Sequence, residues 1–295
     1  MAIRIVTADE RLSEAANGTS LAIFGPTGVG KTSLLRALDP NKAFAVDLEA
    51  GMKSVQDWHG VSSPVRTYTD FRDLCVLIAG PDPSVAPSTA FSQAHYDYVV
   101  GQYQTSGLIE MLAQRPIIFV DSITDLTRQV MTFAKQQPEA FSEKTGKPDT
   151  RGAYGLLGRE VIQSLKHLQH ARGKTVIFVG ILEKVTDEMH VTTWQPQMEG
   201  GKAGRELPGL VDQVVTMHYF DQADDGSWTF NPDTGKHRRL VCQSANAFSL
   251  PAKDRSGRLD ETEAADLGAL LAKINGKPAG ARGANQTPAA LHVAA

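Results

Sequence analysis

Eight consecutive residues, Gly25-Pro-Thr-Gly-Val-Gly30-Lys31-Thr32, constrain this chain more than any other stretch. They fit the pattern G-x-x-x-x-G-K-[ST], and their flanks are as informative as the pattern. The apolar run Leu21–Phe24 reads as a buried strand entering the loop, and Ser33–Leu38 reads as a helix leaving it. Glycines let backbone N–H groups converge on one point, and the start of the helix adds its positive end. The ligand that suits such a cradle is a chain of phosphates. Gly25, Pro26, Thr27, Gly28, Val29, Gly30, Lys31, Thr32 and Ser33 are therefore expected around a nucleoside triphosphate, with Lys31 on its β- and γ-phosphates and the Thr32 hydroxyl on Mg²⁺. A chance glycine-rich turn would not account for the strand and helix on either side.

Phosphoryl transfer needs a second part, an acid at the end of a buried strand. Ile117-Ile-Phe-Val-Asp121-Ser122 supplies it. Asp121 is expected on Mg²⁺, directly or through water, and in part as a cap of the helix that follows, with Ser122 helping to hold the ion. A third part must orient the attacking water. Glu49 is the candidate, because it follows Ala43–Leu48, a strand expected beside the loop strand, and ligands gather at the carboxyl ends of parallel strands. Asp47 is its rival, but strand alternation should turn it to the other face.

The remaining pattern gives the architecture. Thr175–Leu182 and Val211–Phe220 read as further strands. Leu126, Val130, Phe133 and Ala134 keep helical spacing, as do Leu157, Val161, Leu165 and Leu168. Strands alternating with helices predict an α/β fold with a mainly parallel, twisted sheet flanked by helices. Ser227–Phe230, a turn over Asn231–Gly235 and His237–Gln243 read as a C-terminal β-hairpin. Leu267, Leu270, Leu271 and Ile274 form the stripe of a last helix stopped at Gly276. Residues 277–295, rich in Ala, Gly and Pro, read as a disordered tail, so a single domain over 1–276 is expected.

Composition excludes several classes. A net charge of −3 announces no global polyanion binder, so any nucleic-acid role must come from a local patch. Two cysteines, Cys75 and Cys242, exclude a disulfide framework and a Cys-rich zinc module. His59, His95, His190, His218 and His237 show no metal-ligand spacing. With no run of about 18 apolar residues and no apolar leader, neither a membrane span nor a secretion signal is expected. The expectation is a soluble cytoplasmic protein.

With these residues in view, Val-Asp121-Ser122 after its apolar run and Asp-Leu-Glu49 after the loop resemble the RecA-like ATPase core shared by RecA recombinases and DnaB-type helicases. They differ from the AAA+ arrangement, in which a Glu directly follows the strand-end Asp; here that position is Ser122. Ala252-Lys253-Asp254-Arg255-Ser-Gly257 is similar to the K-x-R segment of RecA and DnaB proteins. The resemblance implies that Lys253 and Arg255 act in trans on a neighbour's γ-phosphate, with ATP at subunit boundaries. Among such proteins the chain resembles, over roughly residues 18–260, the phage RecA-core ATPases grouped with Sak-type single-strand annealing recombinases.

The chain also departs from that pattern. The stretch between Glu49 and Asp121 is longer than a minimal core, which implies an insertion at about 80–114. It carries a proline-rich loop, Gly80–Thr89, and the aromatics Phe91, Tyr96, Tyr98 and Tyr103, read either as a satellite core or as stacking partners for bases. The polar sensor of the family falls on Gly180-Ile-Leu-Glu183-Lys184, where Glu183 or Lys184 is left to stand in. The first strand begins at Leu21, so no amino-terminal DNA-binding or polymerisation domain is expected.

Two loops correspond to the DNA-facing loops of the family. Gln136–Arg151 brings Lys144, Lys147 and Arg151, and Glu183–Gly209 brings Lys202 and Arg205. Asp187, Glu188, Glu199 and Glu206 in the second leave a plain solvated loop as open as a DNA contact. The implied function is an ATP-hydrolysing protein acting on single-stranded DNA in recombination, annealing or replication. It would self-associate as a ring or filament, with a single-strand-binding protein as a further partner. Two alternatives stand beside it: a DnaB-like hexameric helicase or translocase, and a nucleotide-dependent assembly switch without DNA contact.

Overall fold

The computed structural model describes residue 5, residues 7–10 and residues 18–276, and the side chain of Lys202 is left undescribed. The expected tail at 277–295 lies outside the described residues.

The strands are β1 (Ser20–Gly25), β2 (Ala43–Asp47), β3 (Val61–Pro64), β4 (Ile117–Asp121), β5 (Thr175–Thr186), β6 (Thr192–Pro196), β7 (Gln213–Gln222), β8 (Trp228–Phe230), β9 (His237–Val241), β10 (Lys253–Asp254) and β11 (Thr262–Ala264). They form one sheet whose main path runs β11-β9-β7-β1-β5-β4-β2-β3. From β7 to β3 every neighbour on that path is parallel, and β9 and β11 add an antiparallel edge. The helices are α1 (Tyr68–Ala79), α2 (Gln93–Tyr103), α3 (Leu108–Ala113), α4 (Ile123–Ala134), α5 (Thr150–Gln169), α6 (Lys202–Leu210) and α7 (Leu267–Asn275).

The central strands are apolar on both sides because both faces are covered. Ala22, Phe24, Phe44, Val46, Ile118, Val120, Val176 and Phe178 pack under α1, α4, α5 and α6. The alternating set, Leu21, Ile23, Ala43, Ala45, Phe119, Ile177 and Val179, packs on the other face under α7 and a 3-10 helix, Thr32–Ala37. Side-chain caps fix the helix starts: Thr67 accepts from Asp70 N, Ser122 from Asp125 N and Asp149 from Arg151 N. Cys75 and Cys242 are free and buried, as their count predicted.

Four expectations need correction. β2 does not lie beside β1. It sits between β4 and β3, and β5 and β4 separate it from β1. Sequential strands are neighbours only about two-thirds of the time, and here the chain passes over two positions filled later. The element leaving the loop is the tight 3-10 turn Thr32–Ala37, not an α-helix. Glu183–Gly209 is not a loop: β5 continues to Thr186, pairs antiparallel with β6, and α6 follows.

The predicted hairpin is also re-paired. β8 and β9 both pair with β7, Phe220 opposing Phe230 on one edge and His237 on the other. The Asn231 turn forms, with Gly235 N donating to Asn231 O at 3.2 Å, but it carries the chain across β7. Only glycine fits that crossing, since a Cβ on Gly235 would fall 2.8 Å from Phe220 N. The antiparallel hairpin that does form is β7–β8, one strand earlier.

The 80–114 stretch holds α2 and α3. Phe91 is buried and stacks on His167 at 4.2 Å, and Tyr96 and Tyr103 pack against the main core. Tyr98 alone of the four is well exposed, at 63%. These aromatics therefore belong to the core more than to a stacking surface.

His218 on β7 is a pH-sensitive element of this core. It is 1% exposed, between Trp194 and Phe230, and its Nδ1 accepts from Tyr219 N at 2.9 Å while Nε2 has no partner. Burial, helped by the charge of Lys184, pushes its pKa down to about 4. The unfolded chain protonates this ring near 6.5, so stability is complete above about 6.5 and declines as pH falls toward 4, by at most about 3 kcal/mol. Denaturant midpoints at pH 7 and pH 5 should show that loss. His218→Asn, whose Oδ1 can still accept from Tyr219 N, should flatten it; an unchanged slope would place the acid sensitivity elsewhere.

Candidate nucleotide site

The loop sits at the carboxyl end of β1. Gly28 and Gly30 take φ of +80° and +96°, a region that favours glycine. Lys31 turns its Nζ back onto the loop and donates to Gly25 O at 2.9 Å and Pro26 O at 3.0 Å. Burial lowers its pKa, and the charges of Asp121 and Glu49 oppose that shift. A buried ammonium held only by carbonyls has much to gain from an arriving anion.

The Thr32 hydroxyl donates to Asp121 Oδ2 at 2.5 Å. Asp121 is 3% exposed, and its other oxygen, Oδ1, is buried without a partner. Burial pushes this carboxyl up to about 7, against the Thr32 hydrogen bond, and Glu49 pushes it the same way. Such a group calls for a cation. Thr32 and Asp121 offer the hard oxygen donors that Mg²⁺ prefers, so the residues fit the ion. Among the described residues no group of three or more His, Cys, Asp or Glu is placed to hold a metal. Mg²⁺ binds through one or two protein oxygens, water and substrate phosphates.

Glu49 reaches the same point although β2 is remote from β1. The chain after β2 folds back, and a Cβ on Gly51 would lie 3.4 Å from Thr32 Oγ1 and 3.7 Å from both Asp121 Oδ2 and Glu49 Cγ. Ser122 Oγ donates to Glu49 Oε2 at 2.8 Å. Burial raises the Glu49 pKa, and the Ser122 hydrogen bond opposes the rise. Ser122, not Asp121, caps α4. Strand alternation does not remove Asp47 from the cluster: it lies level with Asp121 across the β2–β4 pairing, its Oδ1 accepts from Gly51 N at 2.9 Å and its Oδ2 faces Arg66 Nη2 at 3.3 Å. It holds the returning chain in place.

Other predicted residues are not brought to this point. β10 pairs with Gln213 and Val214, which lie level with Leu21 and Ala22 at the amino end of β1. Lys253 Nζ donates there to Pro208 O at 2.6 Å and Val211 O at 2.7 Å, and Arg255 Nη1 lies 3.1 Å from Asp212 Oδ1. Neither reaches the loop of its own chain. Glu183 accepts from Gln197 Nε2 at 3.0 Å, and Lys184 Nζ sits 4.8 Å from the Trp194 ring centre. Neither contact is to the loop.

Lys144 and Lys147 are exposed on a turn closed by Ser142 N donating to Lys147 O at 2.8 Å. Arg151 is exposed in the first turn of α5. Arg205 is exposed on α6, its Nε donating to Gly201 O at 3.1 Å. One residue missed by the sequence stands over the loop: a Cβ on Gly30 would fall 2.3 Å from Arg238 Nη1. Arg238 lies in a strand with no motif of its own, so only the strand order could have revealed it.

Comparison with known proteins bears on the whole assembly. No curated protein matches the chain. Among solved structures it is similar to the ATPase described as prototypical for the type III secretion system of pathogenic bacteria, at 12% identity and a TM-score of 0.34 over 70% of this chain and 52% of that one. It thus spans about half the length of that ATPase. It is also similar to the RadB recombinase, at 14% identity and a TM-score of 0.32 over 76% of this chain and 80% of that one. A family model described as an AAA domain matches residues 17–256, a span that holds the loop, Glu49, Asp121 and Arg238. That description stands even though Ser122 follows Asp121 and the second acid comes from Glu49. The chain belongs to this AAA-domain family and is a P-loop ATPase.

Proposed function

We propose that this ATPase hydrolyses ATP with water oriented by Glu49, and couples hydrolysis to single-stranded DNA held near the carboxyl edge of the sheet. The observation that carries the first half is the unpartnered, buried Oδ1 of Asp121 beside the Thr32 hydroxyl and the Ser122-oriented Glu49. Mg²⁺ held by Thr32 and Asp121 would neutralise charge on the phosphate oxygens. Lys31 would exchange its two loop carbonyls for the β- and γ-phosphates. Glu49 would accept the proton of the water that attacks the terminal phosphorus, while the bond to the ADP oxygen breaks. Its raised pKa favours that role, because a base works best with a pKa near the working pH.

The DNA half is supported by Lys144, Lys147, Arg151 and Arg205, exposed cations near the start of α5 and on α6. The start of α5 lies toward the carboxyl ends of the strands, because α5 runs back to the amino end of the parallel β5. A net charge of −3 makes this contact local and modest. Lys253 and Arg255 enter the reading only as groups offered to a neighbouring copy, and Arg255, 53% exposed, is the freer of the two. The resulting picture is a self-associating, RecA-like machine of the kind found among phage annealing recombinases.

Hydrolysis measured with and without single-stranded DNA at low salt tests it. DNA should raise turnover, and retention should weaken with salt at a log–log slope of about −3, for four cations on a single strand. Neither stimulation nor retention would leave the assembly switch as the reading; displacement of a duplex strand would favour the helicase.

A further inference from the structure

The groups described so far occupy one flank of the phosphate loop. Asp121 ends β4 and Glu49 follows β2, so both acids reach the loop from the side of β5, β4 and β2. They mark where the metal and the transferred phosphoryl group belong. The opposite flank is formed by β7 and β9. There the Met217 carbonyl closes on the loop, 2.6 Å from a Cβ built on Gly25. Two residues further along β7, Tyr219 pairs in register with Arg238 of β9.

Alternation along β9 decides where Arg238 points. Leu240 is buried on the face covered by Thr32–Ala37 and α7, so Arg238 projects on that face too. Its guanidinium ends over the last glycine of the loop: Nη1 and Cζ lie 2.3 Å and 3.5 Å from a Cβ built on Gly30, a point 3.7 Å from Ser33 Oγ. Among the described residues it has neither a hydrogen bond nor an ion pair. Its neighbour Arg239, by contrast, lies 4.2 Å from the Trp228 ring centre and donates through Nη2 to Thr262 O at 2.9 Å, although its Nε has no partner. A free planar fork of N–H donors beside a phosphate cradle matches a diphosphate by charge and by geometry.

We infer that Arg238 binds the nucleotide in cis, gripping the α- and β-phosphates from the β9 flank. The loop backbone cradles those same two phosphates, and the γ-phosphate extends away toward the acids. Arg238 therefore holds ATP and ADP alike and is not a finger for the transition state. The inference rests on the loop being the nucleotide site.

The test compares wild type, Arg238→Ala, Arg238→Lys and Lys31→Ala. Equilibrium binding of fluorescent ADP and of a non-hydrolysable ATP analogue is measured with Mg²⁺ and with EDTA, alongside kcat and KM. Arg238→Ala should weaken both nucleotides by a similar factor, about 10- to 100-fold, with EDTA leaving the factor unchanged. Most of its effect should fall on KM, with kcat lowered less than about threefold. Arg238→Lys should recover part of the affinity. A large fall in kcat with unaltered ADP affinity would overturn the inference in favour of a γ-phosphate finger, and wild-type affinity in Arg238→Ala would overturn it outright. Wild-type binding that survives Lys31→Ala would instead overturn the placement of nucleotide at the loop, which separates the two failures.

Discussion

Glu49→Gln should lower kcat for ATP hydrolysis by about 10²- to 10⁴-fold, the usual contribution of a general base. ATP affinity should stay within about threefold of wild type, because Glu49 is assigned to the water and not to the phosphates. Gln keeps the shape of the side chain and still accepts from Ser122 Oγ, which lies 2.8 Å from Glu49 Oε2. What it loses is the capacity to take a proton. Single-turnover rates with saturating ATP, beside equilibrium ATP binding, make the separation visible. A kcat within twofold of wild type would remove Glu49 from the chemistry and return attention to the rest of the acid cluster.

Lys31→Ala should abolish measurable turnover, a loss of at least about 10³-fold, since the ammonium is assigned both to binding and to the charge that develops on the transferred group. Its present setting sharpens the expectation. The side chain is 9% exposed and its charge is disfavoured by burial. Without phosphate it contributes hydrogen bonds to Gly25 O and Pro26 O at modest net value. The unliganded variant should therefore keep nearly the wild-type melting temperature while losing the upward shift that ATP gives. Retained turnover would refute the loop assignment; a collapsed melting temperature would show that Lys31 serves the fold as well.

The parts of the site that the sequence revealed are the contiguous ones. The loop, its strand and the acid ending Ile117–Asp121 each lie within a few residues, and local chemistry dictates them. The two faces of the sheet were implied by uninterrupted apolar runs, since such runs need cover on both sides. What stayed hidden depends on strand order. Glu49 comes to the acid cluster because β2 lies beside β4, level with Asp121, and its carboxylate accepts from Ser122 Oγ, not because β2 lies beside β1. β8 and β9 were read as partners because they are neighbours in sequence, whereas β7 is long enough, at 10 residues, to pair with both. Arg238 was invisible for the same reason: nothing in its own segment marks it, and only the placement of β9 next to β7 brings it over Gly30. Lys253 and Arg255 show the converse, a recognisable segment whose side chains settle at the far end of the strands.

The two ends of the sheet limit how copies of this chain can meet. β3 has four residues and finishes in Pro64, which has no N–H to offer; β11 has three. Short or proline-bearing borders are poor templates for a further strand. Copies therefore cannot readily join by splicing one sheet onto the next at these two borders. Contacts made at these two borders would run through side chains, helices and loops, which are surfaces that nucleotide can loosen or tighten without unzipping a backbone ladder.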